Sequence, residues 1–117
     1  MYREQILEHW RSPQNFGKLT APTHEAFENN PLCGDEIGMQ LNIKNGAVEG
    51  VRFYGAGCAI SMAATSMLTE VVQGKKIEEL KKIKKEDIFN LLGVMPSPSR
   101  VKCALLGWSV LQSAITR

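Results

Sequence analysis

Residues 37–53, IGMQLNIKNGAVEGVRF, constrain this chain more than any other stretch. Ile37, Met39, Leu41 and Ile43 alternate with less apolar residues, and Val51 and Phe53 resume the alternation beyond Asn45-Gly46. A period of two puts one set of side chains on a single face of a strand, and Asn-Gly is a dipeptide that two-residue hairpin turns favour. The expectation is an antiparallel β-hairpin with one buried face and a bulge at Gly50. Such a hairpin is not stable alone and needs a cover for its apolar side.

The rest of the chain offers helices for that cover. Ile6, Leu7 and Trp10 share a face of a helix from Tyr2 to Arg11, which Pro13 and Gly17 stop, and a polar connection runs on to Asn30. From Ala59 to Gln73, Ile60, Ala64, Met67 and Val71 recur at helical spacing, with Gly74 as the C-cap. A lysine-rich short helix and a second from Lys85 to Leu92, closed by Gly93, follow. After the rigid loop MPSPS, Ser99 is expected to cap a last helix on which Val101, Ala104, Trp108, Leu111 and Ile115 share a face. The expected fold class is α+β, a small antiparallel sheet with helices packed on one face, and residues 1–117 are expected to form a single domain.

Composition excludes several classes of function. With 44% hydrophobic and 22% charged residues the chain reads as globular. Its net charge is +2, and that excess sits between Lys75 and Asp87, where six lysines face four acidic residues. No nucleic-acid partner is expected, because clustered Arg and Lys with aromatics or a binding motif are missing, and the lysine run reads as a solvated face. No apolar run approaches the roughly 20 residues of a membrane span, and the charged N-terminus has no signal-peptide core, so the expected location is the cytoplasm, without membrane attachment.

In such a compartment the three cysteines, Cys33, Cys58 and Cys103, stay reduced. Cys33 lies in NPLCGDEI, between a proline and Gly34, with Asp35 two residues on; Cys58 ends the glycine-rich GAGC, after Gly55 and Gly57. Cys103 falls in the first turn or so of the last helix, beside Arg100 and Lys102. Helix N-termini at Cys58 and Cys103, with the two cations near Cys103, favour thiolates. Three thiolates and Asp35 form a four-ligand set suited to tetrahedral Zn²⁺ or to iron with bridging sulfide. The intervals of 25 and 45 residues differ from the paired knuckles of a zinc finger, and a carboxylate among thiolates suits a site that is loaded and emptied. Each residue also has a plainer reading: a cysteine as a small buried hydrophobe, Asp35 as a turn former, His9 and His24 as surface or helix-packing residues, Trp10, Trp108, Met62 and Met67 as core or interface.

NPLCGD, GAGCAIS and SRVKC, with the N-terminal MYREQILEHWRSPQNFG, resemble the U-type iron–sulfur cluster assembly scaffold family, which includes the N-terminal domain of the nitrogen-fixation U protein. The resemblance covers nearly the whole chain. It implies a platform on which a [2Fe–2S] cluster is built from iron and persulfide sulfur delivered by a cysteine desulfurase, then passed to apo iron–sulfur client proteins. Cys33, Cys58 and Cys103 would be ligands of the cluster or of zinc, Asp35 the fourth and labile one, and Cys33 or Cys103 the persulfide acceptor. Gly34, Gly57, Arg100 and Lys102 would support the site, and Tyr2 would help present it.

Two departures matter. Lys102 stands where scaffold members carry His, and it resembles the branch whose members hold zinc and accept sulfur from their desulfurase, yet the interval after Cys58 leaves no room for that branch's insertion. Where scaffold members show Leu-Pro-Pro-Val-Lys, this chain has MPSPSR, so dependence on an Hsp70-type chaperone is not carried over. A non-enzymatic scaffold, a zinc-dependent sulfurtransferase and a structural zinc module all stay open, as does a site shared in a homodimer.

Overall fold

The computed structural model describes residues 4–31 and 34–116. In chain order the elements are α1 (Glu4–Arg11), β1 (His24–Asn30), β2 (Asp35–Lys44), β3 (Ala47–Ala56), α2 (Ala59–Val72), α3 (Ile77–Lys81), α4 (Lys85–Leu92), a 3₁₀ turn (Pro98–Arg100) and α5 (Val101–Ile115). The strands form one antiparallel sheet in the order β1-β2-β3. Helices α2 and α5 pack on it, and α1 and α4 pack on α2. The expected class, a small antiparallel sheet with helices on it, is the one observed.

The hairpin forms where the alternation placed it. Asn45 and Gly46 both have positive φ, +55° and +78°, as the mirror-image turn requires. Ile37, Met39 and Leu41 are fully buried, as are Val51 and Phe53, with Val48 close behind. Val48 and Val51 can both face inward because Ile43 pairs with Val48 while Asn42 pairs with Gly50, which leaves Glu49 as an extra residue that reverses the alternation. The bulge expected at Gly50 thus lies one residue earlier.

β1 corrects the expectation of a polar connection reaching Asn30. Of His24–Asn30 only Ala26 is buried, so the segment has almost no apolar pattern. Its second inward position, Glu28, accepts hydrogen bonds from Ser109 Oγ at 2.7 Å and Ser113 Oγ at 2.6 Å, two hydroxyls one turn apart on α5. A smaller correction accompanies it. Ser99 sits inside the 3₁₀ turn, so α5 begins behind Arg100 without a side-chain cap. Trp10 is 45% exposed and outside the core, whereas Met62 and Met67 are buried. Gly93 closes α4 in the left-handed conformation, as expected, and no helix among the described residues is long and apolar enough to cross a membrane.

α2 is the hub. Most of its length is buried, polar Ser61, Thr65, Ser66 and Thr69 included. Thr65 donates to the Ser61 carbonyl and Thr69 to that of Ser66, while Ser66 Oγ accepts the Gln14 amide and lies 2.7 Å from His9 Nδ1. α5 crosses α2 at Gly107, where a β-carbon would collide with Thr65 Oγ1. Replacing Gly107 with Ala gains about 1 kcal/mol of helix propensity and loses about 1–3 kcal/mol to overpacking. We expect Gly107→Ala to lower stability in denaturant unfolding, and Thr65→Ala to restore part of the loss in the double variant; strictly additive effects would contradict the contact.

On the outer face of the sheet Tyr54 lies over Gly38, where any side chain would collide with its ring. Its hydroxyl donates to Glu25 Oε2 at 2.6 Å, and this bond, with some burial, pushes the Tyr54 pKa up to about 12. Glu25 is correspondingly held below the usual carboxylate range, first by Tyr54 and then by Gln40. The tyrosine side of the bond contributes stability below the ordinary pKa of about 10 that is lost as pH rises through the folded value; the Glu25 side is lost as pH falls through its lowered value. In an ultraviolet titration one of the two tyrosines should ionise near pH 12. Glu25→Gln should bring that transition down.

Candidate metal centre

Three elements end or begin at one edge of the fold. Asp35 is the first residue of β2, and Asn30 pairs with it across the turn that joins β1 to β2. Cys58 is the N-cap residue of α2, two residues past the end of β3. Cys103 lies in the first turn of α5. Antiparallel pairing of Glu36 with Ala56 brings the start of β2 beside the end of β3, and the packing of α5 on the sheet adds Cys103. One oxygen of Asp35 and the two sulfurs all lie within 4.8 Å of one another.

The turn chemistry is local. Gly34, at φ +77°, donates its amide to the Asn30 carbonyl at 2.8 Å, so the turn needs a residue that tolerates left-handed backbone there. Cys33, the third expected ligand, lies outside the described residues, as does Tyr2.

Asp35 and Cys103 are buried and Cys58 is half-buried. Asp35 Oδ1 accepts the Cys58 amide at 3.2 Å. Asp35 Oδ2 is buried and has no hydrogen-bond partner among the described residues. A buried carboxylate oxygen left unpaired is costly, and a cation is one way to satisfy it. Two soft sulfurs and a carboxylate oxygen converging there suit Zn²⁺ or iron, so the donor set fits the expected groups.

The supporting residues divide. Gly57 stands against the site: a β-carbon on it would lie 3.3 Å from Asp35 Oδ2 and would collide with Ser61 Oγ. Arg100 and Lys102 are both exposed on the approach to Cys103, and Lys102 lines a groove of about 300 Å³ with Pro31, Lys85, Leu105 and Trp108. His9 bonds within the fold, its Nε2 lying 3.5 Å from Glu70, and His24 Nδ1 lies 2.9 Å from Thr23 Oγ1; neither joins the cysteines. Ser61 was not singled out from the sequence. A serine one turn into an apolar helix carries no sign of the site, and only the missing β-carbon of Gly57 places its hydroxyl there.

The chain is similar to known proteins along its length. The chain is 34% identical to the zinc-dependent sulfurtransferase SufU of Bacillus subtilis, over an alignment of 134 positions that takes in 100% of this chain and 90% of the relative. It is 38% identical to the iron–sulfur cluster assembly scaffold protein IscU of Aquifex aeolicus, over 116 positions covering 97% and 73% of the two chains. The Bacillus alignment is longer than this chain, so that relative carries residues with no counterpart here, and the Aquifex relative extends beyond its own alignment. A crystal structure of a protein assigned to cluster assembly for the SUF system of Fervidobacterium islandicum AW-1 superposes with a TM-score of 0.84 at 29% identity, covering 97% of this chain and 96% of the other. The model of the NifU-like N-terminal domain matches residues 1–117, and the chain belongs to that family.

Proposed function

We propose that this chain is an iron–sulfur cluster assembly scaffold, with a [2Fe–2S] cluster as cargo and residues 1–117 as one scaffold domain. Cys33, Asp35, Cys58 and Cys103 are its ligands, and Gly34, Gly57, Arg100 and Lys102 support them. The observation that carries the reading is the buried Asp35 carboxylate, its Oδ2 without a hydrogen-bond partner among the described residues, beside the two thiol sulfurs. A scaffold must hold its cargo less tightly than its clients do, and a carboxylate leaves soft iron more readily than a fourth thiolate. The protein partners are a cysteine desulfurase and apo iron–sulfur client proteins, met in a reducing compartment such as the cytoplasm.

Sulfur enters by exchange. The thiolate of Cys33 or Cys103 attacks the outer sulfur of the desulfurase persulfide; a new S–S bond forms on this chain, the old one breaks, and the desulfurase leaves as thiolate. Each sulfane sulfur takes up two electrons from an external reductant before it counts as sulfide. Arg100 and Lys102, both exposed near Cys103, attract anionic sulfur.

The second reading is a zinc-dependent sulfur acceptor, favoured by Lys102 and by the similarity to the Bacillus sulfurtransferase. There the same residues hold Zn²⁺, which would keep the thiols deprotonated at neutral pH. Similarity to relatives named as scaffolds, that of Aquifex aeolicus among them, supports the first reading instead.

Anaerobic reconstitution with iron, cysteine and a desulfurase decides between them. The scaffold gives a [2Fe–2S] chromophore, lost in Cys58→Ala or Cys103→Ala and transferable to an apo-ferredoxin. Zinc near one per chain, no chromophore and accelerated desulfurase turnover would establish the sulfur acceptor. Asp35→Ala should keep the apo-protein folded, within about 1–2 kcal/mol of the parent, and alter exchange, while Asp35→Cys should slow transfer. Transfer at the parental rate in both variants would refute a labile carboxylate.

A further inference from the structure

Asp35 Oδ2 has no hydrogen-bond partner among the described residues, yet a hydroxyl stands close by. Ser61, fully buried in the first turn of α2, donates to the Cys58 carbonyl of its own helix at a long 3.3 Å. That carbonyl already receives the Met62 amide at 3.0 Å, so it does not depend on the serine. A β-carbon on Gly57 would stand against both Ser61 Oγ and the Asp35 carboxylate. Gly57 has no left-handed backbone to explain the glycine. Space explains it: one missing methyl leaves the hydroxyl and the orphan oxygen facing a shared gap.

We infer that Ser61 is the alternative partner of Asp35, a positioning residue whose hydroxyl takes up Oδ2 whenever that oxygen leaves a bound cation. The inference rests on the reading of Asp35 as the exchangeable ligand. A buried carboxylate cannot leave a cation cheaply if nothing receives it, because its oxygen would then be both dehydrated and unpaired. A rotation about the Ser61 Cα–Cβ bond turns the hydroxyl from a redundant acceptor toward one that has none. No bond to protein is left broken, since Met62 holds the Cys58 carbonyl. The exchange thus becomes a swap of partners within a closed site, and its rate is set by a residue that need not touch the cargo. Gly57 keeps the path between them open.

The test uses the zinc-loaded full chain and Zn²⁺ release to a chromogenic chelator, which is independent of cluster transfer. Ser61→Ala should release zinc about tenfold more slowly, the size expected for loss of one hydrogen bond to a charged group, with the thermal midpoint unchanged. In an Asp35→Ala background the same substitution should have no further effect. Ser61→Ala releasing at the parental rate, or slowing release equally without Asp35, overturns the role of Ser61 and leaves Asp35 as the ligand. A parent chain that holds no zinc, or Asp35→Ala releasing at the parental rate, overturns the ligand reading on which the inference stands.

Discussion

The Cys58 amide donates to Asp35 Oδ1 across 3.2 Å, and this bond fixes the first residue of β2 against the first turn of α2. Much of the arrangement follows from it. Asp35 can be buried only if at least one of its oxygens is held, and the free amides at a helix start are the donors available there. Cys58, as the N-cap residue, supplies the amide while its thiol stays beside the carboxylate. Gly57 must then be bare, because the carboxylate and Ser61 both stand against the place of its β-carbon. Gly55, at φ +127°, lets β3 run against the Glu36 carbonyl just before this point. Both glycines of GAGC are thus requirements of close approach, one of backbone to backbone and the other of backbone to a buried acid.

A helix as buried as α2 would ordinarily be apolar throughout. Here its serines and threonines are tied to its own carbonyls and to the segment after α1. That segment also lays Asn15–Gly17 along β3, with the Phe53 amide on the Asn15 carbonyl and the Gly17 amide on that of Phe53. The polar groups of α2 give the chain before β1 a single place to sit, which packing of methyl groups alone would specify less sharply.

The sequence made the hairpin and the long helices legible because each buries one face and its apolar residues keep the matching period. β1 escaped notice because HEAFENN buries one alanine and otherwise relies on Ser109 and Ser113, more than eighty residues away. No local pattern encodes a carboxylate whose donors lie on the last helix. In the site, Asp35, Cys58 and Cys103 were legible from residue type and flanking glycines, and the structure brings them together. The last turn before α5 was misjudged, since Ser99 looked like a cap and Arg100 fills that position instead. Ser61 could not be read at all, because its setting depends on an atom that Gly57 lacks.

Asp35, Cys58 and Cys103 reach one point from chain positions far apart, at the starts of three elements. In the proposed site a bound cation is therefore a crosslink as well as a cargo, closing two long loops that the unfolded chain leaves open. Whatever binds only the folded chain shifts its unfolding equilibrium by mass action. A loaded chain is harder to open than an empty one, so resistance to unfolding becomes a physical record of occupancy. A quality-control protease that attacks the opened chain would spare the charged carrier and remove the idle one.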